Sequence, residues 1–92
     1  ERVEVTFTSH AAPYIQERVW HPSQTMKPQE DGSVVLVLNV CTDAALRSWI
    51  LSFGPAAHVS SPAHLATTIA DALSAARAHY DAVPDQLAAI EH

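Results

Sequence analysis

The residues best suited to chemistry in this chain are six histidines and one cysteine. No two histidines have the i, i+4 spacing that pairs zinc ligands on one helix face, so we expect surface side chains and predict no metal site. Cys41 excludes an internal disulfide, and its position at the end of an apolar run predicts a buried, unreactive thiol. The histidines are His10, His21, His58, His64, His79 and His92.

Nucleophilic and phosphate chemistry are also poorly represented. No serine lies on a glycine-flanked elbow, and the two glycines, Gly32 and Gly54, cannot form a phosphate-binding loop. Ten acidic residues against five scattered basic ones give a net charge of −5, which neutralises few phosphates. We predict that the chain is not an enzyme, has no catalytic residue and no cofactor, and binds DNA poorly by itself.

The segment Trp20–Gln24 is the strongest candidate for an interaction. In one interpretation Trp20 covers the core, Pro22 ends a helix, and Ser23 with Gln24 binds backbone groups freed in the turn. In the other, Trp20, His21, Ser23 and Gln24 are presented to another domain or to a ligand. The sequence leaves both interpretations open.

Alternating and continuous apolar patterns predict the strands that must position this segment. Strict alternation over 2–8 predicts a strand with Val3, Val5 and Phe7 on its buried face. Residues 33–41 are apolar on both faces, which is typical of a central strand. Pro28 places the weak strand 25–30 at an edge, ahead of a turn at 31–32, and a short fourth strand is expected at 56–60.

Three helices are expected between and after these strands. The first begins at Ser9 and extends to about Val19, which falls on its inner stripe. The second begins at Thr42 with Asp43 and carries Trp49 as a core residue. The third opens at Ser61-Pro62, with an apolar side that continues to about residue 80. Its apolar side comprises Leu65, Ile69, Leu73, Ala76 and Tyr80.

The element order βαββαβ with a C-terminal helix predicts an α+β, ferredoxin-like two-layer sandwich. Its four-stranded antiparallel sheet would have the strand order fourth, first, third, second, with both intervening helices on one face. Val35 and Val37 would then point to the open face. They predict either a contact surface or two ordinary surface valines.

Length and composition limit the organisation of the chain. The 92 residues predict one domain over 2–80 and a variable tail over 81–92, in which Asp85 could begin a short helix. No apolar run approaches a membrane span, so we expect a soluble, cytoplasmic protein without membrane contact. The start at Glu1 without methionine suggests a piece of a longer polypeptide.

Four segments in fixed order resemble a known family. They resemble the C-terminal extension (WCX) domain of bacterial WYL-domain transcription regulators over about residues 2–80. The segments are Arg18-Val-Trp-His-Pro-Ser-Gln24, Asp31-Gly-Ser-Val-Val-Leu-Val-Leu38, Arg47-Ser-Trp-Ile-Leu-Ser-Phe-Gly54, and Val59-Ser-Ser-Pro62 with Leu65.

The resemblance implies a dimerisation and effector-coupling domain in a DNA-binding regulator. Helix-turn-helix and WYL domains would lie upstream, DNA would be bound through the upstream domain only, and the effector would be a nucleic acid or a small molecule. A homodimer is expected. The alternative function is an ACT-like small-molecule-binding domain of a metabolic enzyme, although the Ser9-His10 turn lacks the glycine such domains often carry. An acylphosphatase-like enzyme would need an arginine loop that 8–12 does not offer.

Overall fold

The computed structural model describes residues 1–82 as an α+β domain. The tail 83–92, including the helix predicted at Asp85, lies outside the described residues. In chain order the elements are β1 (Arg2–Phe7), α1 (Ala12–Gln16), β2 (Thr25–Pro28), β3 (Val34–Asn39), α2 (Ala44–Leu51), a 3₁₀ turn (Gly54–Ala56), β4 (Ala57–Ser61) and α3 (Ala63–Ala82).

The four strands form one open antiparallel sheet in the order β2-β3-β1-β4. Read from the β4 edge, the order is fourth, first, third and second. The predicted inner position of the 33–41 run is confirmed, because β3 pairs with β1 on one side and β2 on the other. Pro28 lies on the edge strand opposite Val34, where the missing N–H removes no inner hydrogen bond.

The buried face of the sheet follows the alternation of β1. Val3, Val5 and Phe7 are fully buried, and they pair with the equally apolar positions Leu38, Leu36 and Val34 of β3. A one-residue shift of either strand would move this set to the open face, so the pattern fixes the register. The core cluster is completed by side chains from the helices and β4, namely Ala12, Ile15, Ile50, Val59, Leu65 and Ile69.

The first helix is shorter than the sequence predicts. It spans Ala12–Gln16, Ser9 does not cap it, and Val19 is 82% exposed, so the prediction of a helix to Val19 with an inward Val19 was wrong. The physical reason lies downstream. The Trp20 amide, which a continued helix would direct to the Gln16 carbonyl, donates instead to the side chain of Gln24.

The second helix begins as predicted. The carboxylate of Asp43 accepts the backbone N–H of Leu46 at 2.9 Å, which satisfies one of the free amides of the first turn. Ile50 is buried against the sheet. Gly54, with φ at +57°, turns the chain into the 3₁₀ turn that precedes β4.

The third helix leaves the body of the domain. It begins at Ala63, one residue later than predicted, because the Pro62 carbonyl accepts the first helical bond, from Ala66. Leu65 and Ile69 are buried, whereas Leu73 is 45% exposed. The apolar stripe expected along this helix is therefore covered only over its first two turns.

Candidate functional site

Five of the six aromatic residues meet in one cluster beside the sheet. Trp20, from the segment after α1, lies 5.3 Å from Trp49 of α2, measured between ring centroids. Edge-to-face contacts at 5.1 and 5.0 Å continue through Phe53 to the buried Phe7, and such contacts stabilise beyond the area they bury. Tyr14 extends the cluster from α1, 5.6 Å from Trp20.

The side chain of Gln24 organises the turn at Trp20–Gln24. Its amide oxygen accepts the backbone N–H groups of Trp20 and His21, and its NH₂ donates to the Arg18 carbonyl at 3.1 Å. The Trp20 indole N–H donates to the Ile15 carbonyl at 3.0 Å. Trp20 is thus fixed from both its backbone and its ring.

Ser23 attaches the same turn to the end of β3. Its hydroxyl oxygen accepts the Asn39 backbone N–H at 2.9 Å, and its own backbone N–H donates to Nδ1 of His21 at 3.1 Å. Nδ1 of His21 therefore acts as a hydrogen-bond acceptor within the turn. The structure therefore brings Trp20, His21, Ser23 and Gln24 into one hydrogen-bonded unit.

An open groove lies between this turn, the end of β3 and the first half of α2. Its volume is about 770 Å³. Trp20 and Trp49 form part of its apolar lining together with Leu38, Val40 and Leu46. Its other lining residues are Glu1, His21, Asn39, Cys41, Asp43 and Ala45. We call this concavity the tryptophan groove.

Two sequence predictions change at the groove. Trp49, predicted as a core residue, packs against the core but is only partly buried and also lines the groove. Cys41, predicted as a buried thiol, is exposed, because β3 ends at Asn39 and the chain has left the sheet before position 41. Leu38, Val40 and Leu46 were not singled out as site residues from the sequence.

The polar lining of the tryptophan groove is acidic. Glu1 and Asp43 each contribute a carboxylate, and within the described part of the chain no lysine or arginine is among the lining residues. Glu1 also contacts Nε2 of His64 at 2.8 Å, and Asp43 serves as the cap of α2. The Glu1 ammonium donates to the Val40 carbonyl at 3.0 Å, so the groove combines an apolar lining with the carboxylate of Asp43 and a Glu1 whose charges are already paired.

The two valines predicted on the open sheet face are less exposed than expected. Val37 is 9% exposed, because Glu4 and Thr25 flank it on the neighbouring strands, and Val35 is half-buried between Thr6 and Lys27. The two valines are thus flanked by four polar or charged side chains, those of Glu4, Thr6, Thr25 and Lys27.

Over residues 1–82 no three histidine, cysteine, aspartate or glutamate side chains are grouped closely enough to bind a metal ion. Within the same range no helix has the length and apolarity to cross a bilayer. Every buried side-chain nitrogen or oxygen described has a hydrogen-bond partner.

The described residues form an α+β domain in which an aromatic groove lies beside an open four-stranded antiparallel sheet. The chain belongs to the WCX domain family, whose family model matches residues 1–77. WCX domains are regulatory domains associated with WYL-domain transcription regulators, which have further domains upstream. A search of curated proteins finds no match for the chain.

Proposed function

We propose that this chain is the C-terminal dimerisation and effector-coupling domain of a DNA-binding transcription regulator. The domain would have a ferredoxin-like fold. DNA would be bound only by a helix-turn-helix domain, which would lie upstream of a WYL domain. Membership of the WCX family supports this assignment. The net charge of −5 and the acidic groove support the inference that DNA is bound elsewhere.

The tryptophan groove is the observation that carries the proposed effector coupling. A bound ligand would contact three units at once, namely the Trp20–Gln24 turn, the end of β3 and the start of α2. The turn is bonded to β3 through Ser23 and Asn39, so a change at the ring of Trp20 reaches the inner strand. A ligand shifts the regulator between states only by its differential affinity for them.

The second half of α3 supports the proposed homodimer better than the open sheet face does. Leu73 is 45% and Tyr80 69% exposed on a stripe that has no partner within residues 1–82, whereas Val37 is largely covered. Exposed apolar stripes of this kind are typical of helix–helix contacts. The dimer would place two such helices against each other.

Light scattering on the 92-residue chain tests the dimer. Leu73→Lys should halve the measured mass, because it places a charge on the exposed stripe of α3. Val19→Lys is the control: it places the same charge on an exposed apolar side chain elsewhere and should leave the mass unchanged. Val35→Glu should reduce the mass only if the open sheet face takes part in the dimer. A monomeric mass for the unaltered chain at micromolar concentration refutes dimerisation.

Fluorescence anisotropy with the full-length polypeptide tests the coupling. Operator DNA should bind the full-length protein but not the 92-residue chain at physiological salt. Trp49→Leu in the full-length protein should change DNA affinity or its dependence on a ligand, because it alters one wall of the groove. Identical DNA binding with and without an intact groove contradicts effector coupling through it.

A further inference from the structure

We infer that the tryptophan groove binds a compact aromatic amine, with a flat apolar body and a cationic group, and discriminates against anionic ligands, including phosphates. The inference rests on the proposed effector coupling and gives the ligand class of that site. It depends on the lining of the groove and on its charge.

The apolar body is selected by the two indoles. Trp20 and Trp49 pack against each other with their centroids 5.3 Å apart and their planes tilted by 53°, and both line the groove. Leu38 and Leu46 complete the apolar lining. Rigid aromatic walls lose little side-chain entropy on binding, and a flat ring gains contact with both indoles.

The cationic group is selected by charge complementarity. Asp43 contributes a carboxylate to the lining, and no lysine or arginine within residues 1–82 lines the groove. Glu1 contributes a second carboxylate, but this one contacts His64, and the Glu1 ammonium donates to the Val40 carbonyl at 3.0 Å, so Asp43 carries the charge that is not offset. The net charge of −5 adds a field of the same sign. An anion entering the groove would lose hydration and meet the like charge of Asp43, whereas an amine would meet that carboxylate.

The aromatic cluster already contacts one cation on another side. The guanidinium carbon of Arg18 lies 4.6 Å from the ring centroid of Tyr14 and 5.9 Å from that of Trp20. Positive charge placed over an aromatic face within about 6 Å is attracted by the ring quadrupole. Arg18 does not line the groove, so the indole surfaces there remain available to a second cation.

Four small molecules distinguish the contribution of the aromatic ring from that of the positive charge. We would titrate the ¹⁵N-labelled 92-residue chain with 2-phenylethylamine, 2-phenylethanol, phenylacetate and butylamine. The chain has two tryptophans, so two indole N–H signals report the groove directly. The amine with the ring should bind most tightly, and its affinity should exceed that of the alcohol by about fivefold at low salt, the upper range for an exposed charge pair.

The variant Asp43→Asn isolates the charge. Asparagine caps a helix nearly as well as aspartate, so α2 should persist while one carboxylate is lost. The preference for the amine over the alcohol should largely disappear, with the affinity of the alcohol unchanged. Asp31→Asn, in the hairpin turn away from the groove, is the matched control and should preserve the preference.

Three results overturn the inference. These are phenylacetate binding as tightly as the amine, butylamine binding as tightly as 2-phenylethylamine, and no shift of either indole signal with any probe at millimolar concentration. Each leaves the dimerisation test unaffected. Conversely, if 2-phenylethylamine shifts the indoles but never alters DNA affinity of the full-length protein, the ligand class stands and effector coupling fails.

Discussion

Replacement of Gln24 by alanine should loosen the Trp20–Gln24 turn and destabilise the whole domain. The variant removes two accepted hydrogen bonds and one donated bond. An ordinary hydrogen bond contributes about 0.5–1.5 kcal/mol. Two of these three are partly buried and the third is exposed, so water can replace some of them. We expect a loss of about 2 kcal/mol in the free energy of unfolding.

Thermal and urea unfolding followed by circular dichroism would measure this loss. For a domain of this size about 2 kcal/mol corresponds to a decrease in Tm of roughly 8–16 °C. Gln29→Ala is the matched control, because Gln29 donates one exposed hydrogen bond, to the Lys27 carbonyl. Gln24→Glu keeps the two accepted hydrogen bonds, so its loss of stability should lie between those of Gln24→Ala and Gln29→Ala. A Gln24→Ala variant no less stable than Gln29→Ala would refute the role assigned to the turn.

Three further changes have defined expectations. Asp43→Ala should lower the free energy of unfolding in urea by about 1 kcal/mol through loss of the α2 cap, whereas Asp43→Asn should be nearly neutral. Phe7→Ala should cost about 3–5 kcal/mol in the same assay, because the ring is fully buried against two aromatic neighbours; a cost below about 1 kcal/mol would contradict its core position. The hydroxyl and the backbone N–H of Ser33 donate to Asp31 and lower the pKa of its carboxyl. A group whose pKa is lowered by folding stabilises the folded state above its unfolded-state pKa, and this stabilisation is lost as the pH falls through the folded-state pKa. An NMR titration should therefore show that Asp31 becomes protonated at a lower pH in the unaltered chain than in the Ser33→Ala variant.

The strands could be predicted because their signals are local. Alternation in 2–8 sets the buried face of β1, and the continuous apolar run places β3 in the interior of the sheet. Pro28 identifies an edge strand for a reason that needs no tertiary knowledge, namely the missing N–H. The same holds for Asp43, since capping involves residues three apart.

The boundaries that depend on distant residues could not be predicted. Whether α1 continues to Val19 is decided by Gln24, whose side chain takes the Trp20 amide out of the helical pattern. Propensity and periodicity contain no information about that competition. Likewise the exposure of Cys41 follows from β3 ending at Asn39, where Ser23 binds the backbone.

The tryptophan groove belongs to this second group. Trp20 lies 18 residues before Leu38 and 29 before Trp49, and no spacing rule connects residues so far apart in the chain. The sequence singled out the two tryptophans separately, as a turn residue and as a core residue. Their mutual contact is a property of the tertiary structure, which brings the turn after α1 beside α2.

In the proposed dimer, the projecting half of α3 would act as a lever. At 1.5 Å per residue, the thirteen residues beyond Ile69 reach about 20 Å from the last buried contact. A tilt of about 10° at the base would therefore carry the tip roughly 3 Å sideways, since displacement grows with helix length. Small changes in packing around Leu65 and Ile69 would thus displace the end of α3 by several ångström, which is enough to change its contacts with a neighbouring subunit.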